Sequence, residues 1–187
     1  MRSLTNWGRM VLALVTALVV VTLPGDRRSP PSAAARATTS AATTRPVVDG
    51  VRAFDPEADG RENDSQLPRL VDGNPTTTWS SEDYNLRPVF GNLKKGVGVV
   101  LELDRPVRLE RLRVRTSSRA WAAQVYVAAQ PASTLAGWGQ PVARASAVQG
   151  DLELDLDGKS GGAVLVWFTD PGRTGQVVVG ELELGTP

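Results

Sequence analysis

The side chains best placed to do chemistry in this chain sit in one stretch, Leu70-Val71-Asp72-Gly73-Asn74-Pro75-Thr76-Thr77-Thr78-Trp79. Asp72 and Asn74 can fold back onto their own backbone, Gly73 can take a positive φ, and Pro75 fixes the next corner. The pattern predicts a tight loop with several oxygens turned inward and an aromatic anchor leading into the following strand. Oxygens gathered that closely need donors or a cation between them, and a hard ion such as Ca2+ suits an all-oxygen set.

A second acidic stretch, Asp55-Pro56-Glu57-Ala58-Asp59-Gly60-Arg61-Glu62-Asn63-Asp64, imitates the first half of an EF-hand loop. Its twelfth position is Gln66, not Glu, and no helical pattern flanks it. A solvated acidic surface loop is therefore the default expectation, with a second Ca2+ site as the alternative. Arg111, Arg113 and Arg115 alternate along one predicted strand face, and Asp151, Glu153, Asp155 and Asp157 along another. If the two strands share a sheet surface, these charges face each other as cross-strand pairs, which is favoured here over an anion-binding stripe. Exposed pairs of that kind contribute only about 0–1 kcal/mol each. Gly91-Asn92-Leu93-Lys94-Lys95-Gly96 has the spacing of a phosphate-binding loop, but Val97 stands where Lys is required.

Catalysis finds little support. The chain has no Cys and no His, which removes thiol nucleophiles, imidazole bases and Cys- or His-based metal sites. No Ser or Thr has a base in view and no carboxylate pair sits in an acid–base context, so the protein is not expected to be an enzyme.

The elements that must position these residues fall into three parts. Met10 to Leu23 is a run of 14 residues, apolar except for Thr16 and Thr22, preceded by Arg2 and Arg9. It is short of the roughly 20 residues of a comfortable span. Residues 1–28 therefore read as a signal anchor or a cleaved signal peptide, with Arg27 and Arg28 favouring the anchor. Either reading puts the remainder outside the cytoplasmic membrane, as a single-pass membrane protein or a secreted one. Residues 29–46 are rich in Ala, Ser, Thr and Pro and predict a disordered linker. Residues 1–46 hold six Arg and one Asp, whereas residues 47–187 hold 15 Lys or Arg against 19 Asp or Glu. A mildly acidic domain argues against nucleic acid as a partner.

Residues 47–187 read as all-β. Val51 to Phe54, Val99 to Leu103, Leu109 with Leu112 and Val114, Val125 to Val127, Ala163 to Phe168 and Gln176 to Leu184 all suggest strands. The change of phase after Leu109 predicts a bulge or kink. Asp151 to Asp157 alternates cleanly between Leu and acid. Short strands separated by Gly, Pro and Asp turns indicate a sandwich. Trp79 and Trp167 are the expected core aromatics, while Trp121, Trp138, Tyr84 and Phe90 fall in expected loops.

Three segments carry a family resemblance, in order along the chain. The Asp72 loop resembles the Asp-Gly-Asn-Pro-x-Thr-x-Trp signature of discoidin domains, the coagulation-factor C-type, galactose-binding-like family. Gly98 to Val107 is similar to that family's strand ending in a Pro-Val turn, with Asp104 and Arg105 departing from the usual residues. Gly180-Glu181-Leu182-Glu183-Leu184-Gly185 is similar to its closing strand. More narrowly, Val51 to Asp64, Phe90 to Gly98 and Val164 to Thr169 resemble the extracytoplasmic C-terminal domain of MviN-type lipid II flippases and kinase-like proteins of high-GC Gram-positive bacteria. The resemblance implies a jelly-roll β-sandwich and one structural Ca2+ held by Asp72, Asn74, Thr77 and Glu181. It also implies a non-catalytic binding module of the cell envelope that recognises glycan or a peptidoglycan-related ligand. Tyr84, Asn85, Arg87 and Asn92, in the connection after Trp79, are the ligand candidates it points to. The competing expectation is an ectodomain that docks a membrane protein partner and binds no sugar.

Overall fold

The computed structural model describes residues 45–84 and 89–187. The expected N-terminal membrane segment, nearly all of the linker, and Asn85 and Arg87 lie outside the described residues. No described helix is long and apolar enough to cross a membrane.

Seven strands build the domain: β1 (Val48–Phe54), β2 (Trp79–Ser80), β3 (Val97–Thr116), β4 (Arg119–Ala128), β5 (Ala143–Gln149), β6 (Leu152–Asp170) and β7 (Val178–Gly185). They pair antiparallel in the order β2-β7-β3-β6-β4-β5, and β1 pairs with the first half of β3 on its edge away from β6. The two longest strands are shared by both layers of the sandwich. The first half of β3, Val97 to Glu102, pairs with β1 and with the end of β6; its second half pairs with the start of β6 and with β7.

Pairing breaks in β3 between Glu102 and Val107, where Pro106 has no N–H to give the ladder. In β6 the residues facing this break are Gly161 to Ala163, whereas Asp157-Gly158, both at positive φ (54° and 60°), lie opposite the stretch from Leu109 to Arg111. A Cβ on Gly158 would also collide with the Arg108 guanidinium. The expected phase change is present as a register shift between Leu109 and Arg111. Segments that read as separate strands, Asp151 to Asp157 and Ala163 to Phe168, are two halves of one bent strand, because the glycines between them turn the chain without ending the ladder.

Continuous apolar runs follow from cover on both faces. Val99 and Leu101 face the inter-layer core, around Trp79, Trp121 and Phe168. Val100, Leu165 and Trp167 face outward, and the segment carrying the short 3-10 turn Leu135–Trp138 closes over them. There Phe54 meets Trp138 and Trp167 edge-on, at ring-centroid distances of 6.2 and 5.7 Å. All four loop-assigned aromatics are in fact buried: Trp121 within β4, Trp138 in this cover, and Tyr84 and Phe90 against each other.

Arg111, Arg113 and Arg115 lie in register with Asp155, Glu153 and the strand start beside Asp151, as the alternation requires. Arg115 Nη1 sits 2.8 Å from Asp151 Oδ2. On their other side they face Gly185, Glu183 and Glu181 of β7. The basic stripe is therefore enclosed between two acidic rows.

β1 delivers Phe54 opposite Gly98 at the start of β3. The connection leaving β1 and the connection entering β3 consequently meet at one end of the sandwich, where the candidate site lies.

Candidate functional site at the β1–β3 end

Glu62 organises this end. It is fully buried. Its Oε1 accepts hydrogen bonds from Tyr84 OH at 2.5 Å and Lys94 Nζ at 2.8 Å, and its Oε2 accepts one from the Glu82 amide at 2.8 Å. Its backbone carbonyl accepts from Trp79 Nε1 at 2.7 Å, tying the cluster to the core. Lys94 Nζ also lies 2.8 Å from Asp55 Oδ2 and 5.1 Å from the centre of the Tyr84 ring. Burial alone would push the Lys94 ammonium down, but its bonds to Asp55 and Glu62 outweigh that and hold it above the usual lysine range. Burial pushes the Tyr84 phenol up, and the adjacent Glu62 carboxylate raises it further.

Asp55 and Glu62 correct the expectation of a solvated acidic loop. They point inward because Lys94 supplies a buried counter-charge, and buried charges persist only when paired. The EF-hand-like spacing disperses in three dimensions. Asp55 bonds Lys94, Glu57 accepts from the Lys95 amide, and Asp59 accepts from the Arg61 amide.

Above this cluster lies a hollow of about 510 Å3, with Asp59, Glu82, Asp83, Tyr84, Leu93 and Lys94 among its lining residues. Its wall from Phe90 to Asn92 is a left-handed turn, with φ of 39°, 63° and 59° at Phe90, Gly91 and Asn92. Two successive contacts hold it, Asn92 N to Val89 O and Leu93 N to Phe90 O. Left-handed backbone at Phe90 is strained, on the order of 1–2 kcal/mol, whereas Gly91 and Asn92 take it readily, and such strain collects at functional sites. The turn leaves Leu93 76% exposed at the rim.

Of the sugar-ligand candidates, Tyr84 lines the hollow, but its ring is 6% exposed and packs edge-on to Phe90 at 4.9 Å. It forms wall, not an open stacking platform. Asn92 lines an adjoining hollow of about 350 Å3 with Glu57, Val89, Leu93, Lys94 and Lys95. Asn85 and Arg87 lie outside the described residues. Glu62, Lys94, Asp59, Glu82, Asp83 and Leu93 belong to the site and were not foreseen. The one available signal was the Lys94-Lys95 pair following a long acidic run, which suggests pairing without naming partners.

The Asp72 loop forms as its residues dictate. Asp72 Oδ1 accepts from the Asn74 amide at 2.8 Å, and Oδ2 accepts from Thr77 Oγ1 at 2.7 Å. The Thr77 amide donates to Asn74 O at 3.1 Å, and the single hydroxyl proton of Thr77 is shared between Asp72 Oδ2 and Asn74 O, the latter at 2.8 Å. The Gly73 amide donates to both oxygens of Glu181, at 3.1 and 3.3 Å, which ties the early turn to the last strand. Gly180 permits this approach, because a Cβ there would strike the Pro75 carbonyl. Burial raises the Glu181 pKa above the usual carboxylate range despite the Gly73 bond, and the Asp72 charge adds to the rise. Two carboxylates, a hydroxyl and carbonyls fit a hard cation chemically. Among the described residues, however, no three acidic side chains converge on one point. The group would pin loop to strand and perform no reaction.

A further hollow of about 320 Å3 lies beside Arg45, Arg111, Arg113, Glu153 and Glu183. Its charges alternate in register, and Arg45 pairs with Glu183 at 2.8 Å, so little field is left for a ligand.

No family model matches the chain. Among solved structures it is similar to CpGH89CBM32-6 of Clostridium perfringens, at a TM-score of 0.53 and 14% identity, covering 72% of this chain and 90% of that one. The fold is that of the CBM32 carbohydrate-binding modules. The CBM32-1 and CBM32-2 domains of Clostridium perfringens ZmpB, solved in complex with GalNAc, match at a TM-score of 0.56 and 16% identity, covering 75% of this chain and 33% of theirs. Chitosan-binding module 2 of a Paenibacillus chitosanase/glucanase, in complex with chitotriose, matches at 0.52 and 19%, covering 72% and 94%. The CBM32 fold agrees with the discoidin-like, galactose-binding-like sandwich expected from the three sequence segments.

Proposed function

We propose that this protein is a non-catalytic glycan-binding module of the bacterial cell envelope, and that the Glu82–Tyr84–Leu93–Lys94 hollow is its ligand site. The observation that carries the reading is the construction of that hollow. One buried carboxylate, Glu62, fixes three of its lining residues, while Leu93 offers apolar surface at the rim. A concave surface with apolar area and a few fixed polar groups is how small polar ligands are held. Neighbours with this fold are named for binding saccharides, which supports the same class of ligand here.

The wider reading is an N-terminal membrane anchor and linker carrying the module outside the membrane, in cell-wall assembly or its regulation, near the MviN-type subgroup. A structural Ca2+ on Asp72, Asn74, Thr77 and Glu181 is part of it. The alternative, docking of a membrane protein partner, calls for a broad apolar face. Among the described residues only Val47 and Leu93 are large exposed apolar side chains, which favours the glycan.

The test is retention of the full chain on purified cell-wall material and on a glycan array. Retention on at least one saccharide supports the reading. Absence of binding to every wall fraction and glycan, by protein shown to be folded, removes it.

A further inference from the structure

Independently of the glycan reading, we infer that Lys94 and Asp55 condense in the folded protein to an intramolecular amide bond, with Glu62 carrying the proton. Lys94 Nζ lies 2.8 Å from Asp55 Oδ2 and 2.8 Å from Glu62 Oε1, in a lysine side chain only 7% exposed. Both carboxylates are fully withdrawn from water. The Asp55 Cγ is one C–O bond further, within about 4 Å of that nitrogen. Groups held at roughly 3–3.5 Å react as if at very high concentration, so the remaining approach is small. A second observation picks out Asp55 as the acyl partner. Both oxygens of Glu62 are occupied, by Tyr84 OH, Lys94 Nζ and the Glu82 amide. Asp55 Oδ1 is buried and has no hydrogen-bond partner among the described residues.

The step balances within the cluster. The Lys94 ammonium passes one proton to Asp55 Oδ2, leaving an amine beside a carboxylic acid. The nitrogen lone pair attacks Cγ, the Nζ–Cγ bond forms, and the C=O electron pair moves onto Oδ1. Glu62 Oε1 takes a second proton from Nζ and delivers it to Oδ2. Oδ2 then leaves with its bonding pair as water, and Oδ1 recovers its double bond. Glu62 ends as it began, still facing the one N–H that Nζ retains. Burial favours the neutral amine, but the bonds to Asp55 and Glu62 outweigh it, so the ammonium is the resting form and the reaction is slow. Its drive is electrostatic: three buried charges become one, and a buried charge is costly to keep. The product closes a span of 39 positions and ties the connection leaving β1 to the one entering β3. In a chain without Cys, it takes the place that a disulfide would hold.

Peptide mapping by tandem mass spectrometry tests this on the full chain, made by cell-free translation and then held folded. Wild type should yield a branched peptide joining Asp55 to Lys94, lighter than its two parts by one water. Lys94→Arg keeps the positive charge and should yield no branch. Glu62→Gln should form the branch about a hundredfold or more slowly, the usual loss when a proton carrier is removed. Formation at the wild-type rate in Glu62→Gln would remove Glu62 from the step. Folded wild type whose Asp55 and Lys94 peptides are recovered unlinked overturns the inference, as does a branch from Lys94 to Glu62.

Discussion

Lys94 brings its ammonium within 2.8 Å of Glu62, a residue 32 positions earlier, and both side chains are withdrawn from solvent. The same ammonium holds Asp55, 39 positions away. Replacing Lys94 by Met leaves two buried carboxylates without a counter-charge, and breaking a buried pair in this way costs about 3–5 kcal/mol. Denaturant unfolding should show that loss for Lys94→Met. Lys95→Met, at an exposed site, should change stability by less than about 0.5 kcal/mol. Equal effects at the two lysines would mean that the cluster does not hold this end together.

The Asp72 loop makes a separate prediction about geometry. Gly180→Ala puts a Cβ against the Pro75 carbonyl. Overpacking of this kind costs about 1–3 kcal/mol, and the loop must retreat from β7 to relieve it. Hydrogen exchange at the Gly73 amide should quicken in the variant, since its bond to Glu181 loosens. Unchanged exchange there would contradict the tie between turn and closing strand.

Glu181 predicts a pH dependence with a definite sign. Its pKa is raised in the folded state, first by burial, so its contribution to stability is present in the protonated form at low pH and is lost as pH rises through the raised value. The Tm of Glu181→Gln relative to wild type should therefore climb as pH rises past the carboxylate range. Ca2+ bound at Asp72, Asn74, Thr77 and Glu181 would favour the ionised form and reverse that trend. Added Ca2+ should then raise the wild-type Tm and leave Asp72→Ala unmoved. A wild-type Tm indifferent to both Ca2+ and chelator would contradict the ion.

The outer aromatic cluster predicts stability without ligand consequences. Phe54→Ala removes the ring that joins Trp138 to Trp167 and should cost about 3–5 kcal/mol. Any glycan affinity measured on the folded fraction should persist. Loss of affinity at unchanged stability would mean the outer cover is part of the site.

Local pattern carried much of this architecture. The Leu and acid alternation of Asp151 to Asp157 places Leu156 inward and its neighbours outward, as drawn from period alone. The apolar run at Val99 is a strand covered on both faces, and the Asp72 loop reaches Glu181. What stayed hidden depends on distant partners. Nothing in Asp55 to Asp64 distinguishes Asp55 and Glu62 from their exposed neighbours until Lys94 is placed beside them. β5, Ala143–Gln149, lacks the β-branched alternation that announces a strand and forms by pairing with β4. Pro106, expected in a turn that ends its strand, instead bends a strand that continues beyond it.

The most direct test of the central claim is to fill the hollow and measure glycan affinity. Ala58 is exposed on its wall and takes no part in the buried cluster, so Ala58→Trp blocks the space without disturbing the fold. For a saccharide retained by the wild-type full chain, the variant should bind at least about tenfold more weakly, a loss of about 1.4 kcal/mol, with Tm unchanged. Undiminished affinity in Ala58→Trp would place the ligand elsewhere and contradict the account.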